Sequence, residues 1–174
     1  MKKLIALALA MVMVCTLFVA CGDKTSAKAN YEGTMEELVN AIVEKAPVEF
    51  MGGLHPIDLA DTTEDGLLAL QSYTGLQSAE NLTDIAAFES MMGAQAFSLV
   101  CVRVAEGVDA KTVAQEISDN VDVRKWVCVG ADEKIVAGYG DVVMLIMLDT
   151  GLNLSAQSYV DAFKAIVGEP DYTI

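Results

Sequence analysis

Two stretches of this chain are apolar on both sides of an extended backbone. Residues 96–104, AFSLVCVRV, place Phe97, Leu99 and Cys101 on one side and Val100, Val102 and Val104 on the other; residues 142–148, VVMLIML, contain no polar residue. A strand with two apolar faces has to be covered on both. The two runs therefore predict central strands of one sheet. Either the two N-terminal helices cover its second face or a partner does, since a bare face would leave a large apolar patch in water.

The remaining elements are predicted from caps, periodicity and breakers. Thr34-Met35-Glu36-Glu37 is a capping-box pattern. The helix after it carries Met35, Leu38, Val39, Ile42 and Val43 on one face and stops at Pro47. Residues 48–60 read as irregular. A second helix is expected from near Thr63, with Glu64 and Asp65 in its first turn, ending before Gly75. Residues 84–90 read as a strand, and the turn at 91–95 leads into the run at 96–104. Asp109 caps a helix that shows Val113, Ala114, Ile117 and Val121 on one face. Residues 126–130 and 135–137 read as strands separated by a turn at 131–134, and Gly138 to Asp141 turns the chain into 142–148. A last helix starts near Ser155 and ends at Gly168, before Pro170. The expected fold is α+β, an antiparallel or mixed sheet of about five strands packed with about four helices, in the order α-α-β-β-α-β-β-β-α.

The first twenty residues stand apart. Lys2 and Lys3 precede an unbroken apolar run over residues 4–20, somewhat short for a membrane span. A basic start, an apolar middle and small residues before a cut describe an export signal. The cut is placed by Phe18-Val19-Ala20-Cys21, which resembles the lipobox of bacterial lipoproteins, with Phe18 where that motif prefers Leu. Cys21 is then the acylated N-terminus, and the chain is anchored by lipid to the outer face of the cytoplasmic membrane. The alternative, an uncleaved anchor, puts the rest of the chain on the same side. The expected organisation is a signal peptide over 1–20, a tether over 21–33 with a reach of about 20 Å, and a single domain over 34–174.

The chain carries 11 basic and 25 acidic residues, a net charge of −14. Removing the signal removes two lysines and gives −16. That balance argues against nucleic acid or anionic lipid as a partner. Beyond Cys21, only Cys101 and Cys128 remain after cleavage. Two buried thiols are the default reading, and a bridge between them is the alternative that export permits.

The strand containing Arg103, the step Arg124-Lys125-Trp126 and the Gly140-Asp141 turn lie within residues 96–148, a segment that resembles the family catalogued as domain of unknown function 4358, found in predicted lipoproteins of Gram-positive bacteria. The resemblance implies location and architecture; the family supplies no catalytic residues to carry over.

Reactive residue types are sparse. His55 is the only histidine, and His55-Pro56 reads as an exposed turn. One imidazole makes a zinc site unfavourable, and no nucleophile motif surrounds Ser or Cys. Asp58, Asp61, Glu64 and Asp65 are candidate ligands for a hard cation, but their spacing does not follow an EF-hand loop, and capping of the second helix accounts for the same residues. Met51, Met91, Met92, Met144 and Met147 read as core filling. Trp126 with Arg124 and Lys125, together with Arg103, forms the candidate binding set; the simpler account has Trp126 packing on a helix while both cations sit at the end of the helix before them. No cofactor is implied. The leading expectation is a non-enzymatic surface module that binds a protein or small ligand. A carboxylate-using envelope hydrolase and a structural envelope protein are the alternatives.

Overall fold

The computed structural model describes residues 30–174. The expected signal peptide, the lipidation candidate Cys21 and residues 21–29 of the expected tether lie outside them. Four helices and six strands follow one another as α1 (Met35–Lys45), β1 (Gly52–His55), α2 (Glu64–Thr74), β2 (Leu82–Ser90), β3 (Phe97–Val104), α3 (Ala110–Asn120), β4 (Glu133–Tyr139), β5 (Val142–Leu148), α4 (Ala156–Val167) and β6 (Tyr172–Thr173). The strands form one antiparallel sheet in the order β1-β2-β3-β5-β4-β6. The two runs that are apolar on both sides are neighbours in its middle, with Leu99 opposite Ile146 and Cys101 opposite Met144.

Both faces are covered, and the two N-terminal helices divide the task. On one face α1 and α4 lay Met35, Leu38, Ile42, Tyr159 and Phe163 over Phe97, Leu99, Cys101 and Met144, all fully or almost fully buried. On the other, α3 packs Val113, Ala114 and Ile117, with Leu70 of α2 beside them, over Val100, Val102, Leu145 and Met147. Each fully buried aliphatic or aromatic side chain here contributes on the order of 1.5–3 kcal/mol, so this double packing is the main source of stability.

The helix starts are local chemistry. Thr34 accepts from the Glu37 N–H while Glu37 accepts from the Thr34 N–H, completing the capping box. Thr63, Asp109 and Ser155 cap α2, α3 and α4 as expected.

Three assignments change. Residues 126–130 do not form a strand: Cys128 has φ 65°, and both sides of β4 are already taken, by β5 and by β6. The segment instead ties to other loops, with Val127 N–H donating to the Gly93 carbonyl and Ala131 N–H to that of Val123. Residues 52–55, read as irregular, form the edge strand β1, so His55 lies in a strand rather than a turn. The final β6 was also not expected. Both edge strands are secured by an aromatic ring over a glycine: Phe88 covers Gly52 and Tyr172 covers Gly138, and a Cβ at either glycine would collide with the ring.

Candidate functional site

The candidate residues fall at opposite ends of the sheet. Arg103 lies at the C-terminal end of β3. One guanidinium nitrogen donates to Asp141 Oδ2 at 2.8 Å, and the other donates to the backbone carbonyls of Tyr31 at 2.9 Å and Gly33 at 2.6 Å. Asp84 Oδ2 accepts from the Met35 N–H at 2.8 Å. Residues 31–33, assigned to the tether on composition, are thus held against the domain by Arg103. The cleft around them is polar, but its charges already have work: Arg103 is spent on two carbonyls and a carboxylate, and Asp84 holds the start of α1. Asp141 keeps one buried oxygen, Oδ1, without a hydrogen-bond partner among the described residues.

Lys125 lies at the other end. Its Nζ donates to Glu89 Oε1 at 2.5 Å, to the Ser72 carbonyl at 2.9 Å and to Ser98 Oγ at 3.4 Å, and sits 4.7 Å from the centre of the Tyr73 ring and 5.3 Å from that of Trp126. Lys125 and Glu89 are largely buried, with side chains 10% and 13% exposed. Burial lowers the Lys125 pKa from its usual value, opposed by the carboxylate of Glu89. The Ser72 carbonyl belongs to the last turn of α2, one of the groups a helix leaves unsatisfied. Lys125 therefore does cap a helix C-terminus, but that of α2 and not of the helix preceding it. Trp126 is partly buried against the core under α2 and α3, but it opens no strand. Arg124 is exposed, with no ion-pair partner among the described residues. The structure does not bring Arg103 together with the other three candidates.

The remaining candidates do not converge on chemistry. Asp58 Oδ1 accepts from the Ala60 N–H, and Asp61 Oδ1 accepts from both the N–H and the hydroxyl of Thr63, which lower its pKa. Glu64 and Asp65 occupy the first turn of α2. Asp58 and Asp61 border a cleft of about 300 Å³ with Leu67 and Leu70, and no group of three or more His, Cys, Asp or Glu among the described residues is placed to hold a metal ion. Ser98, whose hydroxyl accepts from Lys125 Nζ, is fully buried and out of reach of a substrate. Cys101 is buried under α1 and α4, which pushes its thiol pKa well up, while Cys128 is exposed; both are free thiols, so the bridge does not form and only one of the two is buried. His55 stacks obliquely against Tyr73 at 5.8 Å, and its Nε2 is buried without a hydrogen-bond partner.

What the sequence did not reveal is an apolar surface beside the Lys125 cluster. Met144 and Met147 are core residues, but Met51, Met91, Met92 and Val127 are 69%, 65%, 54% and 71% exposed. The Met91 N–H donates to the Met51 carbonyl at 2.9 Å, which makes these two cross-strand neighbours, and Met91 Sδ lies over the bare Cα of Gly53. Val127 is joined to the same turn through Gly93. One signal was available: these three methionines border Gly52 and Gly93 rather than standing inside a periodic run.

No helix among the described residues is long and apolar enough to cross a membrane. Comparison of the chain with protein-family models, with curated proteins and with solved structures gives no significant match.

Proposed function

We infer that this chain is a lipid-anchored, non-enzymatic binding module of the cell envelope, tethered through Cys21 and presenting its methionine surface away from the membrane. The observation that carries this reading is the position of the exposed apolar surface relative to the tether. Arg103 fixes residues 31–33 at the end of β3 where Val104 lies. Met51, Met91 and Met92 sit at the opposite end, beyond Ser90 of β2 and before Phe97 of β3. At about 3.3 Å per residue the eight residues of β3 separate the two ends by roughly 25 Å. Methionines suit adaptable recognition, since the thioether is polarisable and the side chain unbranched. Clustered exposure of large apolar residues on an otherwise acidic surface marks an interaction site.

Two experiments test the reading. Cys21→Ala leaves an unacylated precursor of altered mass; an unchanged mature mass would sink the lipid anchor. Purified protein should show no hydrolysis of peptidoglycan, peptides or esters; activity lost on substituting a single acid or His55 would replace the binding module with the hydrolase.

A further inference from the structure

We propose that the partner is bound by strand addition: β1 takes an extended, apolar segment with basic flanks as a seventh strand, beside the methionine surface. This rests on the binding-module reading and specifies the partner's chemistry.

The register leaves β1 half unpaired. The bond from the Met91 N–H to the Met51 carbonyl makes 51 and 91 a hydrogen-bonded pair. In an antiparallel ladder such pairs alternate. With Gly53 opposite Glu89 and His55 opposite Ala87, residues 51, 53 and 55 turn their backbone groups to β2. Gly52 and Leu54 then turn theirs outward, and neither has another backbone partner among the described residues. Exposed edges are normally guarded by lysine or by an inward-pointing charge. The sequence Gly52-Gly53-Leu54-His55 has neither.

The side chains around the edge define what a seventh strand would carry. Above it stand Met51 and Met91; below it Leu54, 37% exposed, stands next to Phe88. Both faces of the added strand would therefore meet apolar groups. Exposed carboxylates follow at either end, Glu49 three residues before Gly52 and Asp58 three after His55, and the chain as a whole carries −14. A second copy would bring the same acids against these. A segment with lysine or arginine flanks complements them.

The test uses the full chain purified in detergent and a fluorescein-labelled peptide, Lys-Val-Leu-Val-Leu-Lys, with a second peptide N-methylated at alternate residues so that one backbone edge cannot donate. Strand addition predicts that the plain peptide binds, that N-methylation weakens it at least tenfold although charge and side chains are kept, and that the Gly52 and Leu54 amide protons become protected from exchange. Leu54→Pro, at an edge where proline is tolerated, should weaken binding at least tenfold, and Glu49→Lys with Asp58→Lys several-fold. Equal binding of both peptides overturns strand addition, as does the absence of binding by either. If Met91→Asp abolishes binding while N-methylation does nothing, strand addition fails and the methionine surface stands as the binding site.

Discussion

Arg103 and Lys125, at opposite ends of the sheet, are both partly buried cations, and the two are used differently. Arg103 is planar and reaches three acceptors in fixed directions, so it pins a passing backbone. Lys125 is a compact charge enclosed by a carboxylate, a helix carbonyl and two aromatic rings. The first side chain gathers residues 31–33 onto the domain; the second pulls the irregular segment 121–132 against the sheet and so holds Val127 next to the methionines. One end is polar, with Arg103 engaged by three acceptors and Asp141 Oδ1 left without a partner among the described residues. The other has satisfied the charges of Lys125 and Glu89 beneath an apolar surface that none of the described residues covers.

The contrast predicts unequal losses. Lys125→Ala leaves Glu89 buried without its cation and should cost about 3–5 kcal/mol, read from the urea midpoint. Replacing the pair together, Lys125→Met with Glu89→Leu, should recover most of that. Arg103→Ala removes a more exposed pair, with side chains 19% and 26% accessible, and bonds to two carbonyls that water can partly replace. A loss of about 1.5–3 kcal/mol is expected, together with faster amide exchange over residues 31–37. A larger loss at Arg103 than at Lys125 would invert the ranking.

The response to alkali has a definite sign. Burial pushes the hydroxyls of Tyr73, beside Lys125, and of Tyr159 and Tyr172 up to about 12, with Glu89 adding to the effect at Tyr73. Between the usual value near 10 and 12 the folded chain holds these protons while the unfolded chain releases them. Stability should therefore fall as pH rises through that window, and remain flat on this account below it. Denaturant midpoints followed with tyrosinate absorbance check it. Tyr73→Phe should reduce the slope.

The smallest stability effect belongs to the surface with the largest proposed role. Met91→Lys with Met92→Lys should change stability by no more than about 0.5 kcal/mol per substitution, while removing partner binding. A loss of several kcal/mol would mean that these side chains are packed rather than presented.

How much of this could be read from the sequence follows the range of the forces involved. The caps at Thr34, Asp109 and Ser155 involve residues within three positions of one another, and they were legible. The central strands were legible because both their faces are apolar. β1 was not, since two glycines carry no strand preference and only pairing with β2, with Phe88 over Gly52, makes them one. Residues 126–130 show the converse: Val127 and Cys128 suit a strand, but β6 occupies the place beside β4. The dipole argument for Lys125 was sound chemistry applied to the wrong helix, because the carbonyl it caps lies 53 residues away. Methionine exposure depends on what folds above each residue, and a composition argument has no access to that.

The direct test of the account compares its two ends in living cells. A photo-crosslinking residue at position 92 should give a discrete adduct, lost when Met51 and Met91 are changed to Asp. The same residue at position 32, beside the Arg103 clamp, should give none. Adducts at 32 and not at 92, or an adduct at 92 indifferent to the Met51 and Met91 changes, would contradict it.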